Sequence, residues 1–282
     1  MSNDVVFVSY YTPNYKKWVD NLRDSLGKQH LKYDLVPIAH KTSEKDGKEK
    51  WQANVRYKPQ FILDMLKKHS DARAVVWVDA DAIVGQKPTL FTKMREDLGV
   101  CFKPFPNKRM PSKYELLSGT VFVRNTPNAI RMMELWVEAM PYVKEQKKKM
   151  RQPQLLKPEQ QVLQALLTVW KCIPKKLYNN ADGLLAILTG RERCKVSVKD
   201  IPETYCHIQS SVGDVSCVVN HQQASREMRN PERSARLRAM RAANGHRSPF
   251  VRLRKKKKPA SLKKNSKTKG RPSSRRRRRR MG

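Results

Sequence analysis

The alternation of two periodicities near the start of the chain most limits how it can fold. An apolar, β-branched run at residues 5–11 (VVFVSYY) predicts a buried strand, and residues 12–26 space their apolar side chains three and four apart, as amphipathic helices do. A second strand is predicted at 33–38, a second helix at 58–69 and a third strand at 74–80. Strands and helices in this order predict a parallel sheet with helices packed on it.

Later segments continue this α/β character, and we predict a mixed, mainly parallel sheet with helices on both faces. The third strand, AVVWVDA, is apolar enough to be central in that sheet. Further strands are predicted at 98–102, 116–125, 204–209 and 216–223, and further helices at 126–140 and 157–170.

Positive charge is concentrated at the carboxyl-terminal end. The chain has 60 Lys and Arg residues against 25 Asp and Glu, and 24 of the basic residues but only two of the acidic ones lie from position 226 onward. After about residue 245, Lys, Arg, Ser and Pro almost replace apolar residues, a composition typical of disorder. We therefore predict a globular domain over residues 1–228 and a basic tail over 229–282, a short helix and then a disordered segment.

The tail is suited to binding polyanions. Its last part, RLRKKKKPASLKKNSKTKGRPSSRRRRRRMG, contains no aromatic residue that could stack on a base. It can bind through charge and counterion release alone, so nucleic acid, an anionic membrane or a nuclear-import receptor would each attract it. The alternative is a tail that only improves solubility.

The cysteines, the first residues of the chain and the lengths of its apolar runs indicate where the protein is located. The five cysteines are odd in number and widely spaced, which favours reduced thiols over a disulfide framework. The first residues show no signal-peptide pattern, and no segment approaches the roughly 18 apolar residues of a membrane span. We expect a soluble, cytoplasmic protein without a transmembrane segment, whose basic tail could direct it to the nucleus or to anionic surfaces.

Two carboxylates, Asp79 and Asp81, follow the third strand in VVWVDADAIVG. Ligands of open parallel sheets bind at the carboxyl ends of the strands, and residues two apart in an extended chain project to the same side. A divalent cation between the two carboxylates would remove their repulsion, and oxygen ligands of this kind suit Mg²⁺ or Mn²⁺. Ala80 is small enough to let a diphosphate approach closely.

Two other interpretations of this Asp-x-Asp (DxD) motif are open. One is a solvated loop whose acids cap the next element. The other is a phosphatase of the haloacid dehalogenase type, in which an apolar strand also precedes DxD. Those enzymes usually carry DxD near the N-terminus and a later acidic pair for Mg²⁺, whereas here DxD follows a complete β-α-β-α unit and no GDxxxD follows. The phosphatase is the weaker alternative.

Six ordered segments together resemble GT-A-type glycosyltransferases, in which DxD binds a metal ion and a nucleotide-sugar diphosphate. The resemblance covers roughly residues 4–228, most of the globular domain, and implies a GT-A-like, Rossmann-type fold. It also implies a sugar transfer from a nucleotide-sugar donor to an unknown glycan, protein or small-molecule acceptor. The segments are VVFVSYYTPNY, NVRYKPQFIL, VVWVDADAIV, LLSGTVFVRN, PEQQVLQALL and VVNHQQASR.

The resemblance implies roles for individual residues. Asp79 and Asp81 would bind Mn²⁺ or Mg²⁺, and His221 would complete the metal site through one ring nitrogen. Nucleotide binding is implied for Tyr10, Tyr11, Thr12, Asn54, Arg56, Lys58 and Ala80, contact with the sugar or acceptor for Ser118 and Gly119, and catalysis at the donor sugar for Glu159 with Gln160.

Several of these residues also have a simpler interpretation. Tyr10 could belong to the core, Asn54 could cap a helix, and Glu159 after Pro158 is a common first-turn residue. His221 could be a surface histidine. A rival function is a nucleic-acid-binding protein whose GT-A-like body is an inactive scaffold.

Overall fold

The computed structural model describes residues 4–39, 47–104, 114–141, 158–169, 195–208 and 217–222, with positions 224, 232 and 236. The chain separates into two units, Met1–Ala243 and Asn244–Gly282, and all described residues lie in the first. Apart from positions 232 and 236, the predicted tail lies outside the described residues, so its structure and its boundary stay predictions.

The described residues alternate between strands and helices. The strands are β1 (Val5–Tyr11), β2 (Lys32–Pro37), β3 (Ala74–Val78), β4 (Ala82–Val84), β5 (Leu98–Pro104), β6 (Tyr114–Arg124), β7 (Val198–Asp200), β8 (His207–Ile208) and β9 (Val219–His221). The helices are α1 (Lys16–Lys28), α2 (Gly47–Lys68), α3 (Thr89–Lys93), α4 (Pro127–Ala139) and α5 (Pro158–Val169), with 3₁₀ turns at Pro13–Tyr15 and Glu203–Tyr205.

Six strands of the described residues form the central sheet, in the order β2-β1-β3-β6-β5-β7. Strands β2, β1 and β3 pair in parallel, and β7 pairs in parallel with β5. Strand β6 is antiparallel to both of its neighbours, β3 and β5. Five strands therefore run one way and β6 runs against them, which confirms the predicted mixed, mainly parallel sheet.

Helices cover both faces of this sheet because successive side chains of a strand point to opposite sides. Val6 and Val8 of β1 pack in one apolar cluster, and Phe7 packs in the other. Burial of each large apolar side chain contributes about 1.5–3 kcal/mol. Helices α2, α4 and α5 supply Ile62, Leu66, Met132, Trp136, Leu163 and Leu166 to the first cluster, and α1 and α3 supply Leu22, Leu26 and Phe91 to the second.

Helix α2 begins earlier than the sequence predicts. The expected helix at 58–69 is the second half of Gly47–Lys68, and Pro59 lies in its interior. The expectation that Asn54 caps this helix is therefore wrong. A proline in the interior of a helix destabilises that helix by about 3 kcal/mol, whereas a proline in the first turn does not. The sequence around Pro59 therefore resembles the start of a helix. A 2.6 Å hydrogen bond from the Tyr10 hydroxyl to the backbone carbonyl of Asn54 ties the earlier part of this helix to β1.

A second, three-stranded sheet, β4-β9-β8, lies after the end of β3. Strand β4 pairs antiparallel with β9, and Ala82 lies opposite His221. The strand predicted at 204–209 is instead a 3₁₀ turn followed by the short β8, which pairs in parallel with β9. Among the helices of the described residues, none has both the length and the hydrophobicity needed to cross a bilayer.

A candidate metal centre

The two aspartates lie in the turn that joins the two sheets. Strand β3 ends at Val78, and the amide of Asp79 donates a 2.9 Å hydrogen bond to the carbonyl of Gly119 in β6. The amide of Ala82 donates back to the carbonyl of Asp79, also at 2.9 Å, which closes the turn. The sequence thus places both carboxylates where the parallel strands β1 and β3 end.

His221 reaches this turn through strand pairing. Its position opposite Ala82 in the β4–β9 ladder puts it beside Asp81, and the next amide, of Gln222, donates a 3.0 Å hydrogen bond to the carbonyl of Asp81. One ligand atom each from Asp79, Asp81 and His221 lie within 4.8 Å of one another. We call these three residues the metal cluster.

The two nitrogens of the His221 imidazole have different surroundings. Nε2 lies 3.0 Å from Oγ1 of Thr120 in β6. Nδ1 lies 3.9 Å from Oδ1 of Asp81, too far for a hydrogen bond, and it is buried without a hydrogen-bond partner among the described residues. If Nε2–H donates to Thr120, the Nδ1 lone pair is available to a metal ion beside Asp81.

Gly119 provides space for this imidazole. A Cβ atom at position 119 would lie 3.0 Å from both Cε1 and Nε2 of His221. Such a contact is shorter than van der Waals distance, so any other residue would require the ring to shift by a few tenths of an ångström. The resemblance implies that Gly119 contacts the sugar or acceptor; that role stays a prediction, and the structure places the glycine against the ring of His221.

The charge environment of His221 favours a cation. Burial by itself lowers the pKa of the imidazole, but nearby Asp81, Cys206 and Asp79 raise it, and the balance brings the pKa to about 10. Asp81 is itself 8% exposed, and its Oδ2 accepts a 2.7 Å hydrogen bond from the amide of Ala224. The surroundings thus stabilise positive charge at a point where two acidic side chains converge.

The metal cluster fits a divalent cation. Carboxylate oxygens suit Mg²⁺ and Mn²⁺, and imidazole nitrogen extends the set toward transition metals. The orphaned, buried Nδ1 of His221 is the atom that such an ion would satisfy. The described residues therefore contain a possible divalent metal site at Asp79, Asp81 and His221.

Lys58 of α2 also belongs to this region. Its side chain is 3% exposed, and its Nζ donates hydrogen bonds of 2.8 Å to Oδ1 of Asp79 and 2.9 Å to the carbonyl of Ser118. The indole N–H of Trp77 donates to the same Asp79 oxygen at 3.0 Å. The resemblance implies that Lys58 binds the nucleotide; that role stays a prediction, and the sequence gives no sign of its contact with Asp79.

The other residues assigned to the nucleotide occupy varied positions. Tyr10 is buried and packs on Trp77, which is consistent with its simpler interpretation as a core residue. Thr12 is buried, and its hydroxyl lies 2.5 Å from Oδ1 of Asn14. Tyr11 is half-buried and Ala80 is buried. Their contacts with a nucleotide stay predictions.

Arg56, two residues before Lys58 in α2, is a desolvated cation. It is half-buried, and burial lowers the pKa of its guanidinium. Its Nε atom is buried without a hydrogen-bond partner among the described residues. An anionic ligand would satisfy both features.

The remaining predicted residues are only partly described. Ser118 is fully buried in β6, next to Gly119. Gln160 is buried in α5, and the side chain of Glu159 lies outside the described residues. The structure thus brings Asp79, Asp81, His221, Lys58, Ser118 and Gly119 together. Sequence reasoning missed Thr120 and Trp77, because a threonine and a tryptophan in strands look like ordinary β-forming residues.

Among known proteins, the similarities found for this chain are to solved structures. No protein-family model matches the chain, and no curated protein matches it. A glycosyltransferase involved in glycosylation of the major capsid of PBCV-1 is 9% identical, with 78% of this chain and 93% of that chain covered and a TM-score of 0.45. The glycosyltransferase GlyE of Streptococcus pneumoniae TIGR4 is 12% identical, with 78% of this chain and 54% of that chain covered and a TM-score of 0.41.

Proposed function

We propose that this protein is a metal-dependent glycosyltransferase that moves a sugar from a nucleotide-diphosphate donor to an acceptor. The observation that carries the proposal is the metal cluster, two aspartates and a histidine converging where the parallel strands end. That edge of an open α/β sheet is where such folds bind their ligands.

The chain's own residues suit an anionic, diphosphate-bearing donor. Bound Mn²⁺ or Mg²⁺ would supply charge stabilisation to the leaving nucleoside diphosphate. Asp79, Asp81 and His221 would hold that ion. Arg56, whose buried Nε has no hydrogen-bond partner among the described residues, would bind a phosphate oxygen through its fork of N–H donors.

Roles at the sugar follow from the resemblance and are part of the same proposal. Glu159 and Gln160 would act at the donor sugar, and Ser118 and Gly119 would line its pocket. Tyr11, Thr12 and the turn after β1 would contact the base and ribose. The acceptor is a glycan, a protein or a small molecule.

Binding and turnover by the full chain test this function. We expect at least one of the diphosphates ADP, GDP, CDP and UDP to bind only with Mn²⁺ or Mg²⁺, measured by calorimetry. The matching nucleotide-sugar should release that diphosphate, detected by mass spectrometry. Release of inorganic phosphate from phosphate esters instead would support the phosphatase, and absence of any metal-dependent binding or turnover would contradict the enzyme.

We also propose that the basic tail binds a polyanion. Within the cytoplasm, where we expect the enzyme, this binding would hold it at nucleic acid or at an anionic membrane surface. The concentration of 24 basic and two acidic residues from position 226 onward favours this second function. Nucleic acid or anionic vesicles should bind the full chain with an affinity that falls steeply between about 50 and 200 mM salt. Sequence-selective binding that salt does not affect would contradict a purely electrostatic tail. Such binding without any nucleotide-sugar turnover would favour the inactive-scaffold alternative.

A further inference from the structure

Lys58 places a fixed positive charge against Asp79 of the metal cluster. Its ammonium group is almost fully buried, 2.8 Å from Oδ1 of Asp79 and 2.9 Å from the carbonyl of Ser118. It also lies 3.4 Å from the Ser118 hydroxyl and 5.0 Å from the ring centroid of Trp77. These contacts on several sides hold the charge in one place.

This charge changes the electrostatics of the site. Asp79 and Asp81 bring two negative charges, and Lys58 offsets one of them before any cation arrives. A divalent cation bound to the same carboxylates is repelled by the ammonium, and the buried position keeps water from screening that repulsion. Once such a cation is bound, the combined charge of the two carboxylates, the ammonium and the cation is positive, which attracts an anionic ligand.

We infer that Lys58 is a resident counter-ion of the metal cluster, which weakens binding of a bare divalent cation and makes firm binding depend on an accompanying nucleoside diphosphate. The second half of this inference rests on the proposed function. The first half concerns the cation alone and is independent of any nucleotide.

If Lys58 only bound phosphate, removal of its charge would affect metal affinity differently. In that case, removal of its charge weakens binding of the diphosphate and leaves the affinity for a metal ion alone unchanged. A resident counter-ion predicts that removal of the charge tightens binding of the metal ion alone. The sign of the change therefore separates the two roles.

Titration of the full chain with Mn²⁺ in the absence of nucleotide tests this role, by calorimetry or electron paramagnetic resonance. Lys58→Met and Lys58→Gln should each bind Mn²⁺ at least about tenfold more tightly than the wild type. The Gln variant keeps a donor for the Ser118 carbonyl, so it decides the question if the Met variant does not fold. Lys68→Met is the matched control, since Lys68 lies in the same helix and pairs with Asp34 at 2.6 Å, outside the metal cluster; it should leave the affinity for Mn²⁺ unchanged.

A second titration measures the coupling to nucleotide. Adding a saturating nucleoside diphosphate should tighten Mn²⁺ binding more in the wild type than in Lys58→Gln. Equal or weaker binding of Mn²⁺ alone by both Lys58 variants would overturn the counter-ion role. If no diphosphate binds the wild type with Mn²⁺ while Lys58→Gln still binds Mn²⁺ more tightly, the proposed function fails and the counter-ion role holds.

Discussion

Thr120 and His221, a hundred and one residues apart in the chain, meet through a 3.0 Å contact between the threonine Oγ1 and the histidine Nε2. Because Thr120 occupies one nitrogen, the other, Nδ1, faces Asp81. Partners of this kind fix both the tautomer and the orientation of a metal-binding imidazole.

Thr120→Val should therefore lower the affinity for Mn²⁺ by about 10- to 100-fold, since valine keeps the shape of threonine but lacks its hydroxyl. Calorimetric titration of the full chain measures the change, and thermal unfolding checks that the fold is intact. Thr120→Ser retains the hydroxyl and should bind nearly as well as the wild type. Equal affinities for the Val and Ser variants would show that the hydroxyl does not position the ring.

Gly119→Ala should also weaken Mn²⁺ binding, by about tenfold or more, because the added methyl group would lie 3.0 Å from two atoms of the His221 ring and displace it. Gly27→Ala is the control: nothing lies within 4 Å of a Cβ atom at that position in α1. That variant should leave Mn²⁺ affinity unchanged and raise the free energy of unfolding by about 0.5–1 kcal/mol. Unaltered metal binding in Gly119→Ala would mean that the ring tolerates the methyl group.

Asp81→Asn tests whether the second aspartate holds the ion. The substitution keeps the size of a side chain that is 8% exposed and removes its charge, so Mn²⁺ binding should fall by about a hundredfold or more. Metal-dependent binding of nucleoside diphosphates should be lost with it. Asp24→Asn, on the exposed surface of α1, is the control and should bind Mn²⁺ normally. Wild-type affinity in Asp81→Asn would exclude this residue as a ligand.

Asp34 on β2 should contribute stability that depends on pH. Partial burial raises its pKa, but hydrogen bonds from Lys68 and His69 lower it, and the net pKa lies below the ordinary value. The ionised carboxylate therefore stabilises the folded state above about pH 4, and this contribution is lost as the pH falls through the folded-state pKa. Asp34→Asn should reduce the free energy of unfolding near neutral pH by about 1 kcal/mol or less, and the difference from the wild type should disappear in acid. Urea unfolding at several pH values measures it; a difference that grows in acid would contradict the assigned sign.

Local patterns in the sequence were sufficient for the main architecture. The apolar runs of β1 and β3 and the three-and-four spacing of α1 and α4 predict their own secondary structure, because periodicity reports which side chains face a core. The start of α4 is also fixed locally: Pro127 follows Thr126, and the Thr126 side chain accepts a hydrogen bond from the amide of Ala129. The same reasoning placed Asp79 and Asp81 at the end of a central strand.

Only the tertiary structure decided which contacts the side chains around those aspartates make. Lys58 from α2 contacts Asp79, Thr120 from β6 contacts His221 from β9, and no periodicity links these positions. The resemblance implies His221 as a third ligand, and a strand is predicted at 216–223. The sequence does not show that this strand pairs with β4, and that pairing is what brings His221 beside Asp81. Local sequence determines which faces of a segment are apolar, whereas the partner of a buried charge depends on the packing of distant segments, and only the folded chain fixes that packing.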